Sequence, residues 1–505
     1  LYKLLDQAVE KARSAARFGF DALILDISND SIVDAFMAPG FNLRTDNWGG
    51  SYENRFRLAQ MIVSRVREAI GPDFVLELRV SATLGVPETY PFEEMLQFLK
   101  SVEDQIDIVN LVTGMDEYHD GNVKLCPPIF EPHLLNLERA RAIRESCDVL
   151  VNISGAIMDV QEAERVLREG AADLVLLGRS LVADPFWPKK VLEGREDDIV
   201  PCIRCNNCYH IATEHFNTCC TVNPRVYREN RVPLTLPRAQ TARSVVVVGG
   251  GPAGLKAALT AAQRGHQVTL VEQSGALGGL MIPASVGAFK EDLRRYLSYL
   301  RRQVEKSQIH VMLHTRADRA LLEHLHPDAV ILAVGGRAVM PPVPGLGTSG
   351  AVQAVALLNA GLETAGTRVT ILGGGSIGCE LALELAALDR MVTVVELRDK
   401  LAANGNELYR QDLMLHLEQE TRITILTQTV CTGVTAQGCT VREKDGGTRV
   451  IPHDTFVIAA GLRADADAVE ALYGVVPETY YVGDCKRAAS ITEATTEAYF
   501  LGASL

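Results

Sequence analysis

The chain has 505 residues, of which 47% are hydrophobic and 22% are charged, and its formal net charge is −13. This length exceeds what one hydrophobic core supports, so we expect about two to four domains. The acidic balance argues against a nucleic-acid partner, because phosphate binding needs clustered Lys and Arg. No run of about 18 residues lacks both charges and glycines, and the N-terminus shows no targeting pattern. We therefore expect a cytoplasmic protein without a membrane span.

The first 200 residues alternate short apolar runs with amphipathic segments. This alternation predicts parallel βα units, in which buried strands are continuous apolar runs. A closed (β/α)8 barrel needs eight units, and five are visible. Because Leu1 lies within an amphipathic segment and is not Met, we expect the sequence to be part of a longer chain. The predicted strands are 22–27, 75–81, 106–112, 149–154 and 174–178, and the predicted helices include 55–70, 92–103 and 160–169.

A cysteine-rich segment follows, between residues 201 and 224. Cys202, Cys205 and Cys208 form a C-x2-C-x2-C pattern, and Cys219 and Cys220 follow, so five of the 11 cysteines lie within 19 residues. Four thiolates at such spacing fit a [4Fe–4S] cluster, and they also fit some zinc sites. The crowding favours a metal centre over a disulfide framework, and the single cysteines elsewhere are typical of reduced cytosolic thiols.

The second half carries two dinucleotide-binding fingerprints, 124 residues apart. Each has a strand, a G-x-G-x-x-G turn, a helix, and a Glu 18 residues after the last Gly. Such glycines let the backbone approach a pyrophosphate at the helix N-terminus, and the acid can bind ribose hydroxyls. We therefore predict two dinucleotide-binding domains. The first fingerprint comprises Gly249, Gly251, Gly254 and Glu272, followed by Gly278 and Gly279, and the second comprises Gly373, Gly375, Gly378 and Glu396.

One further segment, from Asn42 to Arg55, reads NLRTDNWGGSYENR. It resembles the signature of the Old Yellow Enzyme family of FMN-binding barrels. Together with the cysteine segment and the two fingerprints, the whole chain resembles the iron–sulfur branch of that family. This branch includes 2,4-dienoyl-CoA reductase, enoate reductases and trimethylamine dehydrogenase. By this resemblance Leu1 lies in the helix before the fourth barrel strand, and three βα units that carry part of the FMN site precede it.

The resemblance implies an α/β architecture. A (β/α)8 TIM barrel, whose N-terminal part is missing from this sequence, is followed by a [4Fe–4S] segment and two nested Rossmann-like dinucleotide-binding domains. The implied cofactors are FMN, FAD, a [4Fe–4S] cluster and NAD(P)H. Glu396 favours NADH, because a carboxylate repels a 2′-phosphate, and Arg398 leaves NADPH open. The implied domains are 1–200 for the FMN barrel portion, 201–240 for the cluster segment and linker, 241–350 and 455–505 for the two parts of the FAD-binding domain, and 351–454 for the NAD(P)H-binding domain.

The resemblance also implies ligands for each cofactor. The cluster motif of the family is matched by Cys202, Cys205, Cys208 and Cys220. Cys220 is chosen as the fourth ligand because it begins a Cys-x-x-Asn-Pro run, and Cys219 stays open as the alternative. Backbone N–H groups after the last strands of TIM barrels commonly bind phosphate, and an Arg near a strand end places a cation beside the flavin. The implied FMN residues are Arg79, Ser154, Gly155, Ala156, Gly178 and Arg179, and Gly483 and Asp484 match the C-terminal FAD motif.

The substrate-facing residues depart from the family pattern. Family members carry His-x-x-His or His-x-x-Asn after the fourth strand and then a Tyr, whereas the matching stretch here runs from Asp26 to Ser31. Asn29 keeps the expected hydrogen-bonding character and is the candidate for polarising a substrate carbonyl. Ser31 occupies the position of that Tyr, and a serine hydroxyl is a poor general acid. The candidate proton donor is therefore Tyr118 or His119, in the loop after residues 106–112, which correspond to the sixth barrel strand.

The implied function is an NAD(P)H-dependent ene-reductase. Electrons would pass from NADH through FAD, the cluster and FMN to an activated C=C bond of a small molecule, such as an enoyl-CoA, an enoate, or a steroid or flavonoid enone. Two alternatives stay open: an amine dehydrogenase that passes electrons to an electron-transfer flavoprotein, and a non-catalytic partner that supplies electrons. A homo-oligomer is compatible with the sequence. No C-x4-C pair accompanies the first fingerprint, which argues against disulfide-reductase chemistry.

Overall fold

The structure is a computed structural model of the chain. It describes residues 1–116, 119–215 and 217–505, apart from the side chains at 119, 214 and 215. The chain divides into two compact units, Leu1–Leu181 and Val182–Leu505.

The first unit contains a five-stranded parallel sheet whose strands follow one another in chain order. All five predicted strands are confirmed, and their ends differ from the prediction by at most three residues. The strands are β1 (Ala22–Asp26), β2 (Val75–Ser81), β3 (Ile108–Val112), β4 (Leu150–Ile153) and β5 (Leu174–Val175). The helices are α1 (Tyr2–Arg17), α2 (Ile32–Met37), α3 (Tyr52–Ile70), α4 (Phe92–Val102), α5 (His119–Leu125), α6 (Leu137–Ser146) and α7 (Val160–Arg168), while α8 (Arg179–Ala183) spans the boundary between the units.

The alternation along β2 shows how this sheet presents its two faces. Leu76, Leu78 and Val80 have no exposed surface, whereas Glu77 and Arg79 between them are partly exposed. Successive side chains of a strand point to opposite faces. One face of the sheet therefore contributes to an apolar core, and the opposite face presents polar side chains.

The second unit contains two parallel five-stranded sheets, an antiparallel three-stranded sheet and an antiparallel pair. Its strands are β6 (Ser244–Val248), β7 (Gln267–Val271), β8 (His310–Met312), β9 (Ala329–Leu332), β10 (Gly336–Ala338), β11 (Val352–Gln353), β12 (Arg368–Leu372), β13 (Met391–Val395), β14 (Ile423–Leu426), β15 (Val430–Val434), β16 (Gly438–Arg442), β17 (Thr448–Pro452), β18 (Thr455–Ile458), β19 (Leu462–Ala464) and β20 (Thr479–Tyr481). The parallel sheets have the orders β20-β9-β6-β7-β8 and β11-β18-β12-β13-β14.

The two parallel sheets are nested in the chain. The chain leaves the first sheet after β9, completes the second from β11 to β18, and returns with β20, which pairs with β9. The antiparallel pair of β10 and β19 forms where the chain passes from the first sheet to the second and back again. β18 pairs with β12, so the second sheet includes residues 455–458, four residues beyond the expected end of the nicotinamide domain at 454.

Helices connect the strands of the second unit. Among the described residues, none of the helices combines the length and apolar character that a membrane span requires. Gly502 of the last helix lies against the first fingerprint helix, since a Cβ on it would come within 2.9 Å of Thr260 Cβ. The helices are α9 (Trp187–Leu192), α10 (Asn207–His215), α11 (Pro252–Gln263), α12 (Met281–Ala284), α13 (Glu291–Lys306), α14 (Arg319–Leu325), α15 (Ala354–Ala360), α16 (Ser376–Ala387), α17 (Glu407–Gln419), α18 (Ala466–Leu472) and α19 (Ile491–Ser504).

The cysteine segment belongs to the hydrophobic core of the first nucleotide fold. Ile203, Cys220 and Val222 are buried in the same cluster as Val245 and Val247 of β6. Burial of these side chains against a sheet fixes the backbone on both sides of the cysteines. The described residues of the segment on both sides of position 216 therefore pack into this fold.

A buried carboxyl group lies near the C-terminal ends of β1 and β2. Asp34 has no exposed surface, and Ser81 Oγ and Tyr90 Oη lie 2.7 and 2.8 Å from its two carboxylate oxygens. Burial raises the pKa of Asp34 to about 7, and the hydrogen bonds from Ser81 and Tyr90 oppose the rise. The folded first unit therefore favours the protonated form of Asp34 up to about neutral pH.

Replacement of Asp34 by Asn is expected to remove a pH dependence from the stability of the first unit. A folded-state pKa near 7 against about 3.9 in the unfolded chain makes the free energy of unfolding fall as the pH rises from about 4 to about 7, by about 4 kcal/mol in all. The amide side chain of the Asp34→Asn variant cannot ionise, so the stability of this variant should stay level through this window. The measurement is amide hydrogen exchange of peptides from residues 22–40 in the full protein, corrected for the intrinsic exchange rate at each pH.

The matched control is Asp46→Asn. Asp46 is exposed, and its hydrogen bond from Arg44 lowers its pKa. This control should retain the fall in stability between pH 4 and 7. The same fall in the Asp34→Asn variant would contradict the role of the buried carboxyl group.

Candidate functional site

Arg79 lies near the C-terminal end of β2, on the polar face of the first sheet. Its Nη1 is 3.8 Å from Oδ2 of Asp26, which is opposite it on β1. Within the described residues, Arg79 Nε is buried without a hydrogen-bond partner. A buried donor without a partner costs about 1–3 kcal/mol unless a ligand accepts from it. The pyrimidine edge of FMN carries acceptors, so Arg79 fits its predicted role.

The turns after β4 and β5 lie beside each other, because these strands are paired. Gly155 and Ala156 have φ values of +108° and +56°, which turn the chain sharply after β4. A Cβ on Gly155 would lie 3.0 Å from Asn136 Nδ2, whereas a Cβ on Gly178 would meet no atom within 4 Å. Backbone N–H groups next to open space at this end of a βα sheet fit a phosphate group.

The side chains of Ser154 and Arg179 both donate hydrogen bonds to backbone carbonyls of the first unit. Ser154 Oγ donates to the Leu111 carbonyl at 2.8 Å, and Arg179 Nη1 donates to the Pro127 carbonyl at 2.7 Å. These bonds fix the two turns on either side of the open space beside Gly178. The structure therefore brings the predicted phosphate residues together, but the N–H and the hydroxyl of Ser154 both donate to the Leu111 carbonyl.

Asn29 lies in the turn after β1 with a φ of +50°. Its backbone N–H donates to Ser81 Oγ at 2.8 Å, and its Nδ2 donates to the Gly114 carbonyl at 2.9 Å. Its Oδ1 lies 2.9 Å from Ser28 Oγ, whose one hydrogen it shares with Asp26 Oδ1 at 2.6 Å. The side chain is therefore held in one orientation, and one Nδ2 hydrogen has no acceptor among the described residues.

The candidate proton donors fall where the structure gives no side chains. Tyr118 lies outside the described residues, and of His119 only the backbone, at the start of α5, is described. The loop that leads to them contacts the turn of Asn29, since the Asp116 N–H donates to Asp30 Oδ2 at 3.2 Å. Their catalytic role stays a prediction.

Three of the predicted cluster ligands, Cys202, Cys205 and Cys220, pack in the same hydrophobic cluster of the second unit. None of the 11 cysteines, all of which the structure describes, forms a disulfide bond. Burial, with smaller contributions from the Cys205 and Cys208 sulfurs, raises the pKa of Cys220 to about 12. The pKa of Cys219 is also raised, by burial and then by Cys205. Thiolates that lie close together in a buried site repel one another, and a bound metal ion removes this repulsion. Cys220 therefore stays the predicted fourth ligand, and Cys219 stays its alternative.

Two contacts that the motifs do not indicate hold the cysteine loop. Arg204 has a φ of +46°, its N–H donates to Cys202 Sγ at 3.4 Å, and its Nε donates to Asp292 Oδ2 at 2.6 Å. The side chains of this ion pair are 4% and 2% exposed. Asn406 Nδ2 donates to the Cys205 carbonyl at 2.7 Å, across 201 positions of sequence. No local pattern in the sequence signals either contact.

The first fingerprint forms a turn that only glycine permits. A Cβ on Gly249 would lie 2.2 Å from the Ala333 carbonyl oxygen, and a Cβ on Gly254 would lie 1.8 Å from the Gly249 carbonyl oxygen. Glu272 Oε2 accepts from the Gly250 N–H at 2.7 Å. The turn therefore places backbone N–H groups at the start of α11, where a pyrophosphate binds.

The two later glycines of this fold approach the same turn. Gly278 and Gly279 have φ values of +133° and +51°. A Cβ on Gly279 would lie 2.9 Å from the Gly251 Cα. The structure therefore brings Gly251 and Gly279 together at the expected FAD site.

The C-terminal motif also returns to this turn. A Cβ on Gly483, whose φ is +74°, would lie 2.9 Å from the Cβ of Ala253 in the first turn of α11. Burial raises the pKa of Asp484, and its Oδ1 accepts from the Ala489 N–H at 3.2 Å. Gly483 and Asp484 thus lie beside the first fingerprint although they follow it by more than two hundred residues.

The second fingerprint repeats the geometry of the first. A Cβ on Gly378 would lie 2.0 Å from the carbonyl oxygen of Gly373, whose φ is +114°. Glu396 Oε2 accepts from the Gly374 N–H at 2.6 Å. A Cβ on Gly375 would meet no atom within 4 Å, which leaves room for a pyrophosphate. Both fingerprints therefore fit dinucleotides.

Comparison with known proteins agrees with this division of the chain. The family described as NADH:flavin oxidoreductase / NADH oxidase matches residues 3–198, and the pyridine nucleotide-disulphide oxidoreductase family matches residues 243–497. An NADH oxidase from Thermoanaerobacter brockii is 34% identical over 469 residues, which cover 91% of this chain and 70% of the relative. A cinnamate reductase from Clostridium sporogenes is 28% identical over 506 residues, which cover 97% of this chain and 75% of the relative.

A solved structure extends the likeness over the whole chain. It is a complex of 2-naphthoyl-CoA reductase, with a TM-score of 0.94 and 26% identity, and the alignment covers 100% of this chain and 76% of that one. The chain is accordingly a flavin oxidoreductase that uses FMN, FAD and a nicotinamide nucleotide. It belongs to the NADH:flavin oxidoreductase / NADH oxidase family, in the iron–sulfur flavoprotein branch where a pyridine nucleotide-disulphide oxidoreductase domain follows the flavin barrel.

Proposed function

We propose that this protein is an NAD(P)H-dependent ene-reductase that reduces an activated C=C bond of a small molecule. The second fingerprint carries this proposal, because Glu396 and the close approach of Gly378 to Gly373 form a turn that fits a nicotinamide nucleotide. An amine dehydrogenase receives its electrons from the amine and does not need such a site. Similarity to a cinnamate reductase and to 2-naphthoyl-CoA reductase supports an unsaturated acid or its CoA thioester as the substrate class.

The chain's own residues bind and orient the cofactors. When bound, these cofactors together supply hydride transfer at the nicotinamide and flavins and single-electron transfer at the cluster. In this proposal Glu272 and Glu396 accept hydrogen bonds from ribose hydroxyls, as acids at these positions do. Asp484 binds the ribityl chain of FAD, and the Arg79 cation stabilises negative charge on the FMN pyrimidine edge.

The turn after β1 activates the substrate in this proposal. Asn29 is held by Gly114, Ser28 and Ser81, and its remaining Nδ2 hydrogen donates to the substrate carbonyl. A fixed donor at the oxygen where charge develops lowers the barrier to hydride addition. Reduction of C=C also needs a proton on the second carbon, and Tyr118 or His119 supplies it.

We place the protein in the cytoplasm, where the cysteines that do not bind the cluster stay reduced. A homo-oligomer is also part of the proposal.

Anaerobic mixing with NADH is expected to bleach both flavins, and an aryl-substituted enoate or enoyl-CoA should then restore their absorbance. The measurement is stopped-flow absorbance of the full protein, with the saturated analogue of each compound as the control. Bleaching without reoxidation by any enoate or enone would favour an electron-supplying partner. Bleaching by a methylated amine and not by NADH would favour an amine dehydrogenase.

Replacement of Cys205 by Ser is expected to separate the two flavins. A serine oxygen is a poor iron ligand, so the FAD should still be reduced by NADH while the FMN stays oxidised. About half of the flavin absorbance should then be bleached, and turnover should stop. Cys147→Ser, a buried cysteine of the first unit, is the control and should bleach fully. FMN reduction at the normal rate in Cys205→Ser would contradict the relay.

Replacement of Glu396 by Gln is expected to shift the nucleotide preference towards NADPH. Gln keeps an oxygen that accepts from the Gly374 N–H and removes the charge that repels a 2′-phosphate. The ratio of kcat/KM for NADPH to that for NADH should rise at least about tenfold, because repulsion between unit charges near a surface exceeds about 1.4 kcal/mol. Glu272→Gln is the control in the FAD fold, and it should leave this ratio unchanged. An unchanged ratio in Glu396→Gln would refute the discrimination by charge.

A further inference from the structure

The Cys205 sulfur has a hydroxyl partner. Thr221 Oγ1 lies 3.1 Å from Cys205 Sγ, and Thr221 is 2% exposed. The Thr495 hydroxyl donates to the Thr221 carbonyl at 2.6 Å, which holds the Thr221 backbone in place. As an iron ligand, Cys205 is a thiolate, and a thiolate only accepts hydrogen bonds. The Thr221 hydroxyl must then donate to the sulfur.

Two further groups donate to the Thr221 oxygen. Asn207 Nδ2 lies 3.2 Å and Thr492 Oγ1 lies 2.7 Å from Thr221 Oγ1. Asn207 Nδ2 also donates to Thr492 Oγ1 at 2.7 Å. Because the single Thr221 hydrogen points at the sulfur, Thr492 must donate to Thr221. Both lone pairs of the Thr221 oxygen are then used, and donors that follow one another in this way polarise the last hydroxyl towards its acceptor.

This chain of donors begins in the nicotinamide-binding fold. Asn406 caps the N-terminus of α17, where its Oδ1 accepts from the Tyr409 N–H at 3.0 Å. Its Nδ2 donates to Asn207 Oδ1 at 3.0 Å and to the Cys205 carbonyl at 2.7 Å. Both amide hydrogens of Asn406 are used, and the Asn207 amide is held with its Nδ2 towards the two threonines.

We propose that Thr221 is a positioning residue that sets the one-electron reduction potential of a cluster held by Cys205. A reduced cluster carries one more negative charge, part of it on the ligand sulfurs, and a donor to a sulfur stabilises that charge. The Thr221 hydroxyl therefore raises the reduction potential. Thr492, Asn207 and Asn406 strengthen its effect by polarising this hydroxyl. The Cys-x-x-Asn-Pro motif leaves the position of Thr221 unspecified, so the cluster motif alone does not fix the potential.

Thr221→Val and Thr221→Ser form a matched pair that tests the role of the hydroxyl. Val keeps the branched shape and removes the hydroxyl, while Ser keeps the hydroxyl. The measurement is a dithionite titration of the full protein, followed by the EPR signal of the reduced cluster, without NADH or substrate. Loss of a donor to a charged group should make reduction about tenfold less favourable in Thr221→Val, which lowers a one-electron potential by about 59 mV. Thr221→Ser should retain the potential of the unmodified protein.

Two variants act further from the sulfur. Thr492→Val removes the hydroxyl that donates to Thr221. Asn406→Ser removes both amide donors and keeps an oxygen that caps α17. Each should lower the potential in the same direction as Thr221→Val and by less. Iron and acid-labile sulfide content, measured on every variant, shows whether the cluster is complete.

An unchanged potential in Thr221→Val with a complete cluster would overturn the proposal, and so would equal falls in the Val and Ser variants. If Thr221→Val does not retain its cluster, Thr492→Val decides, because its unchanged potential would also overturn the proposal. Since the inference takes Cys205 as an iron ligand, the iron content of Cys205→Ser tests that assignment separately. The titration uses neither nucleotide nor substrate, so its outcome is independent of the proposed ene-reductase activity.

Discussion

The nucleotide sites of the second unit depend on the contact between the first and last glycine of each fingerprint. A Cβ on Gly254 or Gly378 would lie 1.8 or 2.0 Å from a backbone carbonyl oxygen, which no side chain permits. Strand and helix are therefore joined at a fixed short distance. Because of that distance, the first N–H groups of α11 and α16 face the space where a pyrophosphate binds. The glutamates at the ends of β7 and β13 complete each turn by accepting from its middle glycine.

The same geometry explains why the two folds can be nested without loss of either site. In each parallel sheet the fingerprint strand, β6 or β12, lies in the interior of the sheet. Its neighbour, β7 or β13, is the strand that the acidic residue directly follows. The chain leaves the first sheet only after these strands are in place, so the insertion does not separate Gly249 from Glu272. The part that returns, β20 and α19, adds Gly483 and Asp484 at the same turn.

Much of this architecture could be predicted because it depends on local pattern. Continuous apolar runs indicate buried parallel strands, and glycine spacing indicates the turns, whatever the rest of the chain does. Contacts between side chains that are distant in sequence carry no such pattern. Asn406 and Cys205 are 201 positions apart, and Thr221 and Thr492 are 271 apart.

Asp34 shows a second limit of local pattern. An acid in the first turn of a helix normally indicates an exposed charge that interacts with the helix dipole. The sequence of α2 fits that interpretation, since Ser31 caps the helix and Asp34 follows three residues later. Burial instead favours the neutral acid, although the hydrogen bonds from Ser81 and Tyr90 oppose this effect. Only the tertiary structure decides between an exposed and a buried carboxyl group at this position.

The described part of the cysteine segment is held by contacts from both nucleotide folds of the second unit. Arg204 adopts a left-handed conformation, which costs about 1–2 kcal/mol for a residue with a Cβ, and its ion pair with Asp292 is almost fully buried. A buried ion pair adds little net stability, but loss of one partner is costly, so it favours one conformation over others. Asn406 adds a contact from the nicotinamide-binding fold, which is itself held against the FAD fold by the bond from Ala288 N–H to Glu384 at 3.0 Å. The conformation of the loop that carries the predicted cluster ligands therefore depends on how the two nucleotide folds are packed, and a change at their contact would reach the Cys205 sulfur through Asn207 and Thr221.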